Sequence, residues 1–145
     1  MIKRKGFTLV EILVVIAIIG ILASVVLASM GGARSKGRDT KRISDVKQLQ
    51  LALQLYYDAN VNKYPAALTS LTTSGFISSI PTDPDGTDYL YRPLSGGSAC
   101  SSNCTDYVLA TQLENPEPDP GYNSDYDLGS GLNCDDPNVY CGKPI

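Results

Sequence analysis

The chain has 145 residues, 12 Lys and Arg against 15 Asp and Glu, a net charge of −3 and no histidine. Without imidazole there is no serine triad of the usual kind and no common zinc site, and the acidic balance argues against general affinity for nucleic acid. Setting aside about 30 residues that read as leader and membrane span, the remainder suffices for one compact domain with a modest core.

Lys3, Arg4 and Lys5 open the chain, and from Ile12 to Ala28 it contains only Ile, Leu, Val and Ala, apart from Gly20 and Ser24. As a helix rising about 1.5 Å per residue, Phe7 to Met30 would be about 36 Å long, enough to cross a hydrocarbon layer about 30 Å thick. Glu11 lies at the mouth of this run. A carboxylate deep in such a span costs about 2.5 kcal/mol, so Glu11 calls for a cationic partner. The run contains no Lys or Arg, so that partner must come from an end of the helix or from another molecule.

Gly6, Phe7, Thr8, Leu9, Val10 and Glu11 resemble the prepilin signal of type IV pilins and of type II secretion pseudopilins. The resemblance implies a leader of residues 1–6, cleavage after Gly6 by a prepilin peptidase, methylation of Phe7 and a filament role for Glu11. It also implies a single-pass protein of the cytoplasmic membrane, amino terminus inside, which later enters an extracytoplasmic filament. On this reading residues 7–30 are the membrane and filament-core helix, and the freed ammonium of Phe7 on one subunit pairs with Glu11 on a neighbour. Loss of Lys3, Arg4 and Lys5 with the leader would take the net charge from −3 to about −6. The rival is a conventional secretory signal, with Val26, Leu27 and Ala28 as a small-residue cleavage site before Ser29, releasing a soluble domain. Against it, the apolar run exceeds the usual h-region of about 7–15 residues, and Glu11 would have no purpose. Charge leaves orientation open, because Arg34, Lys36, Arg38, Lys41 and Arg42 crowd the far end of the span. That basic cluster could touch acidic headgroups or a partner.

Residues 31–145 read as the exported head. Gly31 and Gly32 suggest a flexible point. An amphipathic helix follows over residues 33–60, with Val46, Leu49, Leu53 and Tyr56 on the core stripe and Lys47, Gln50 and Gln54 on other faces. Tyr56, Tyr57, Asn60, Lys63, Tyr64 and Pro65 extend the resemblance to the segment after the long helix of major pseudopilins. Pro65 pushes Tyr64 into an extended conformation, from which it can fold back on the helix. Leu68, Leu71 and Phe76 suggest a short helix starting near Pro65 and stopping at Gly75. Two strands, Asp88 to Arg92 and Thr105 to Leu113, could pair antiparallel, with a turn at Asp83 to Gly86 before the first and a loop from Ser95 to Asn103 between them. After Asn115 the tail reads as irregular. The fold class is α+β and pilin-like, a long helix packed on a small antiparallel sheet head.

Cys100, Cys104, Cys134 and Cys141 are even in number. In a small exported domain that points to two disulfides, with three connectivities open, of which Cys100 with Cys104 and Cys134 with Cys141 is favoured for its short loops. Their spacings do not match zinc knuckles, and free thiols are the remaining alternative. Major pseudopilins are associated with calcium near the end of the head. Asp119, Asp125, Asp127, Asp135 and Asp136 are ligands of the right kind here, with Asp125 and Asp127 the candidate pair, but their order matches no EF-hand, and solvated surface acids are the default. Mature position 22, where the family often has a helix-loosening proline, is Ala28. The expected function is a structural filament subunit, not an enzyme and without a required cofactor. Its partners would be copies of itself, minor pilins or pseudopilins, the peptidase, an inner-membrane assembly platform and the membrane, with no nucleic acid. A type II secretion pseudopilin is favoured over a true pilin for adhesion, motility or DNA uptake; a secreted disulfide-stapled binding domain is the alternative of another class.

Overall fold

The computed structural model describes residues 6–116 and 133–144. The chain divides into two compact units, Met1–Ser35 and Lys36–Ile145. Helix α1 runs over Leu9–Ala59. Gly31 and Gly32, read as a flexible point, lie inside it without breaking it. Two glycines at about 1 kcal/mol each do not interrupt a helix whose propagation is cooperative.

In the first unit every described side chain from Gly6 to Leu27 is exposed. Val, Ile and Leu side chains that would each gain about 1.5–3 kcal/mol from burial have nothing among the described residues to bury them. Leu9–Ala59 contains a stretch long and apolar enough to cross a membrane.

In the second unit α1 turns Val46, Leu49, Ala52 and Leu53 into the core, the stripe that helical spacing requires. Gln50, expected on another face, is buried as well, and its Nε2 donates to Lys143 O at 2.9 Å. The close approach explains it. A Cβ on Gly142 would stand 2.9 Å from the Gln50 amide and 3.0 Å from Val46 Cγ1, so only glycine lets the C-terminal strand lie this near the helix.

The C-terminus of α1 closes with the six-to-one bond of the Schellman motif, Asn62 N–H donating to Tyr57 O at 3.1 Å, and Asn62 is itself left-handed at φ 57°. Val61 takes the left-handed position of that motif, φ 54°, where glycine is usual. A β-branched residue there costs about 1–2 kcal/mol. The chain then returns through Tyr64, whose ring stacks on Tyr57 at 4.6 Å and meets Tyr107 edge-on at 4.8 Å. Helix α2 spans Thr69–Thr73, four residues later than expected. Pro65 to Leu68 form bends and a turn instead, and the Thr and Ser content gives little support for extending the helix. Gly75, at φ 77°, ends it as anticipated.

Four antiparallel strands, β1 (Leu90–Ser95), β2 (Ser98–Ala99), β3 (Asp106–Gln112) and β4 (Val139–Gly142), form one sheet in the order β2-β1-β3-β4. β1 and β3 pair with Leu90 opposite Ala110 and Leu94 opposite Asp106. The loop expected from Ser95 to Asn103 begins as a hairpin, because Gly96 and Gly97 both take positive φ, as a tight primed turn requires. The tail is not wholly irregular: β4 pairs with β3, Cys141 opposite Ala110.

Candidate assembly site

Gly6, Phe7 and Thr8 precede α1 and are exposed, Phe7 by 83%. The Gly6–Phe7 bond therefore lies in open backbone, and a Cβ at Gly6 would meet nothing within 4 Å. Glu11 sits in the first turn of α1. Its Oε2 accepts hydrogen bonds from the backbone N–H and the hydroxyl of Thr8, both at 2.8 Å, while Glu11 N–H donates to Thr8 Oγ1 at 3.3 Å. This is a reciprocal capping box, Thr8 at the N-cap and Glu11 three residues on. The sequence reading assigned Glu11 a cationic partner only. Locally its carboxylate is satisfied by helix-end donors and by the positive end of the helix dipole. The signal was present as Thr-x-x-Glu before an apolar run.

The sheet and its loops are held to the Lys36–Ala59 part of α1 by charges that the sequence reading placed on a basic surface. Arg42 is 2% exposed. Its Nε donates to Asp83 Oδ2 at 2.8 Å and Nη2 to Asp83 Oδ1 at 3.0 Å, a bidentate pair. Nη1 reaches Asp39 at 2.8 Å and Glu114 at 2.9 Å, and Nη2 reaches Asp85 at 2.6 Å. Asp39 also accepts from the backbone N–H groups of Glu114 and Asn115, each at 2.9 Å. Arg38 forms a forked pair with Glu114. Lys41 pairs with Asp45 at 2.7 Å, and Tyr89 donates to the same oxygen at 2.7 Å. Arg38, Lys41 and Arg42 are thus paired within the head; Asp39 and Asp45 lie a helical turn away on α1 itself, but sequence could not show the rest, because Asp83, Asp85 and Glu114 arrive from loops after α2 and β3.

Burial would raise the Asp39 carboxyl, but hydrogen bonds from Glu114, Asn115 and Arg42 outweigh it and hold it below the usual carboxylate range. Asp83 behaves likewise, burial opposing and Arg42 prevailing. Hydrogen bonds from Arg38, then Arg42, pull Glu114 down to about 2. Depressed carboxylates stabilise the fold fully above their unfolded values, about 3.9 for Asp and 4.3 for Glu, and lose that contribution as pH falls toward the folded ones. Denaturant unfolding of the detergent-solubilised chain should therefore show stability level above about pH 5 and declining between about pH 4.5 and 2; a profile flat to pH 2 would contradict this role for the cluster.

Cys100 pairs with Cys104 and Cys134 with Cys141, each with Cα atoms 5.8 Å apart. The first closes the loop before β3, the second ties β4 to the segment preceding it. Asp119, Asp125 and Asp127 lie outside the described residues. Among the described residues no group of three or more His, Cys, Asp or Glu side chains is arranged to hold a metal.

Residues 1–27 match the family model of the prokaryotic N-terminal methylation motif. The chain is 39% identical over 103 residues, 60% of its own length and 65% of the relative's, to the type II secretion system core protein G of Pectobacterium carotovorum subsp. carotovorum. It is 38% identical over 104 residues to the protein of that name from Escherichia coli K12, covering 61% of this chain and 71% of the other. The Vibrio cholerae relative is 37% identical over 104 residues, with coverages of 61% and 70%. No solved structure matches the chain.

Proposed function

This chain belongs to the family of the type II secretion system core protein G, structural pseudopilins anchored in the inner membrane, and from that premise we propose how its residues serve a secretion filament. The supporting observation is the stem: apolar, exposed from Gly6 to Leu27 and capped at its start by Thr8 and Glu11. A prepilin peptidase cuts after Gly6, where no side chain obstructs the scissile bond, and the new terminus at Phe7 is methylated. The amino terminus faces the cytoplasm and the head the outside, where the cysteines can oxidise. An inner-membrane platform then transfers the stem from lipid to a filament of like subunits, in which apolar neighbours replace acyl chains.

Nothing in this cycle needs a bond made or broken by the head, so the subunit acts mechanically and without a resident cofactor.

Mass analysis of the native amino terminus tests the reading. A mature chain starting at N-methylated Phe7 is expected; one starting at Ser29 would end the filament interpretation and favour a secreted domain. Loss of this subunit should abolish protein export without removing long surface fibres, whereas loss of such fibres would favour a pilus.

A further inference from the structure

A small groove on α1 and an exposed side chain beyond its end play no part in the reading so far. The groove is lined by Gln48, Leu51, Ala52, Leu55, Phe76 and Ile77 and encloses about 160 Å³. Leu51 and Leu55 remain 58% and 47% exposed beside it. That volume is below the roughly 300–1,000 Å³ of small-molecule sites but suits one branched aliphatic side chain. Val61 is such a side chain. It is 86% exposed, and it occupies the left-handed position of the Schellman motif at φ 54°, where glycine would relieve the backbone. A residue that is both strained and apolar in water costs stability without improving the fold of its own chain, which points to a use elsewhere.

We propose that Val61 of one copy seats in the Leu51, Leu55 and Phe76 groove of the next copy; the proposal rests on the pseudopilin reading and adds a specific contact between heads. Charge says the occupant is a second copy. Lys47 lies one turn before Leu51, and Asp58 one turn after Leu55 and just before Val61; both are exposed. Asp58 accepts a hydrogen bond from Gln54 at 3.1 Å, and neither residue belongs to an ion pair among the described residues. When two copies lie with α1 parallel, a shift of about eleven residues, or ~16 Å, sets Lys47 of one level with Asp58 of the other. The same shift brings Val61, just past the end of α1, to within about one or two residues' rise of Leu51. One translation satisfies both the apolar and the ionic contact. Knob and groove are different surfaces, so each added copy leaves one of each free, and the contact propagates as a fibre instead of closing as a dimer.

The test uses the full chain in membranes with its assembly machinery. Val61→Gly should melt no lower than the parent while sedimentable filament falls at least fivefold. Val61→Cys and Leu51→Cys placed in one chain should give an oxidative cross-linked ladder, with neither single substitution extending past a dimer. Within a chain Leu51 lies eight residues, about 12 Å of helical rise, before the last residue of α1, too far from Val61 beyond it for a bridge whose Cα atoms must lie within about 7 Å. Lys47→Asp and Asp58→Lys should each weaken assembly and restore it when combined. Parental assembly of Val61→Gly, or intact filaments without a ladder, overturns the contact and leaves the pseudopilin reading standing. A parent chain that forms no filament and does not begin at Phe7 overturns both.

Discussion

Arg42→Met is expected to destabilise the head by about 3–5 kcal/mol at pH 7, the range for removing one partner of a buried charge network. Methionine preserves much of the side-chain volume, so the loss measures charge and hydrogen bonding more than a cavity. With the guanidinium gone, Asp39 and Asp83, 3% and 8% exposed, face each other's charge with only neutral donors: Asn115 and the Glu114 N–H for Asp39, Thr111 and the Asp85 N–H for Asp83. Lysine should not rescue, because an ammonium cannot make the bidentate fork to Asp83 and also reach Asp39, Asp85 and Glu114. The deficit should shrink as pH falls toward 4, since the stranded carboxyls can then take up protons. Asp85→Ala provides the contrast. Its side chain is 64% exposed, so its pair with Arg42 should be worth below about 1 kcal/mol. Denaturant unfolding of the detergent-solubilised chain measures all three variants, and an Arg42→Met chain within about 1 kcal/mol of the parent would show that the network holds nothing together.

Why that network escaped the sequence reading is a matter of distance along the chain. Val46, Leu49 and Leu53 declared themselves because helical spacing is local, and the Tyr107 to Leu109 strand because its run of β-formers is local. Arg42 carries no such mark: among Arg34, Lys36, Arg38 and Lys41 it looks like one more solvated cation, and only the fold brings Asp83 and Glu114 to it. β4 is four residues long, too short to show alternation, and its place depends on Gly142 fitting against Val46 and Gln50. Gln50 looked like a solvent-facing residue for the same reason. The charges of the stem were legible by contrast, since Thr8 and Glu11 are three residues apart and their pairing is set by helix geometry alone. The charge of Glu11 alone does not reveal the capping box; the reach of its carboxylate back to Thr8 N–H and Oγ1–H does.

The capping box sharpens what Glu11 should do. Two roles are now separable, closing the first turn of α1 and meeting the ammonium of a neighbouring Phe7. Glu11→Gln keeps an oxygen for Thr8 N–H and Oγ1–H but removes the charge. Glu11→Ala removes both, at an added cost to the helix start of about 0.5–2 kcal/mol. If the pairing with the freed terminus holds, a charge-assisted hydrogen bond of about 1.5–3 kcal/mol is lost in either variant, and assembly into filament should fall roughly ten- to hundredfold in both. Leader removal should persist, since the Gly6–Phe7 bond lies outside α1 and neither substitution touches it. The expected pattern is therefore a cleaved amino terminus at Phe7, a membrane-held subunit and little sedimentable filament, with alanine no better than glutamine. Normal assembly of Glu11→Gln beside failure of Glu11→Ala would reverse the conclusion, making the carboxylate a cap and nothing more, and the register of the stems would then have to come from the heads.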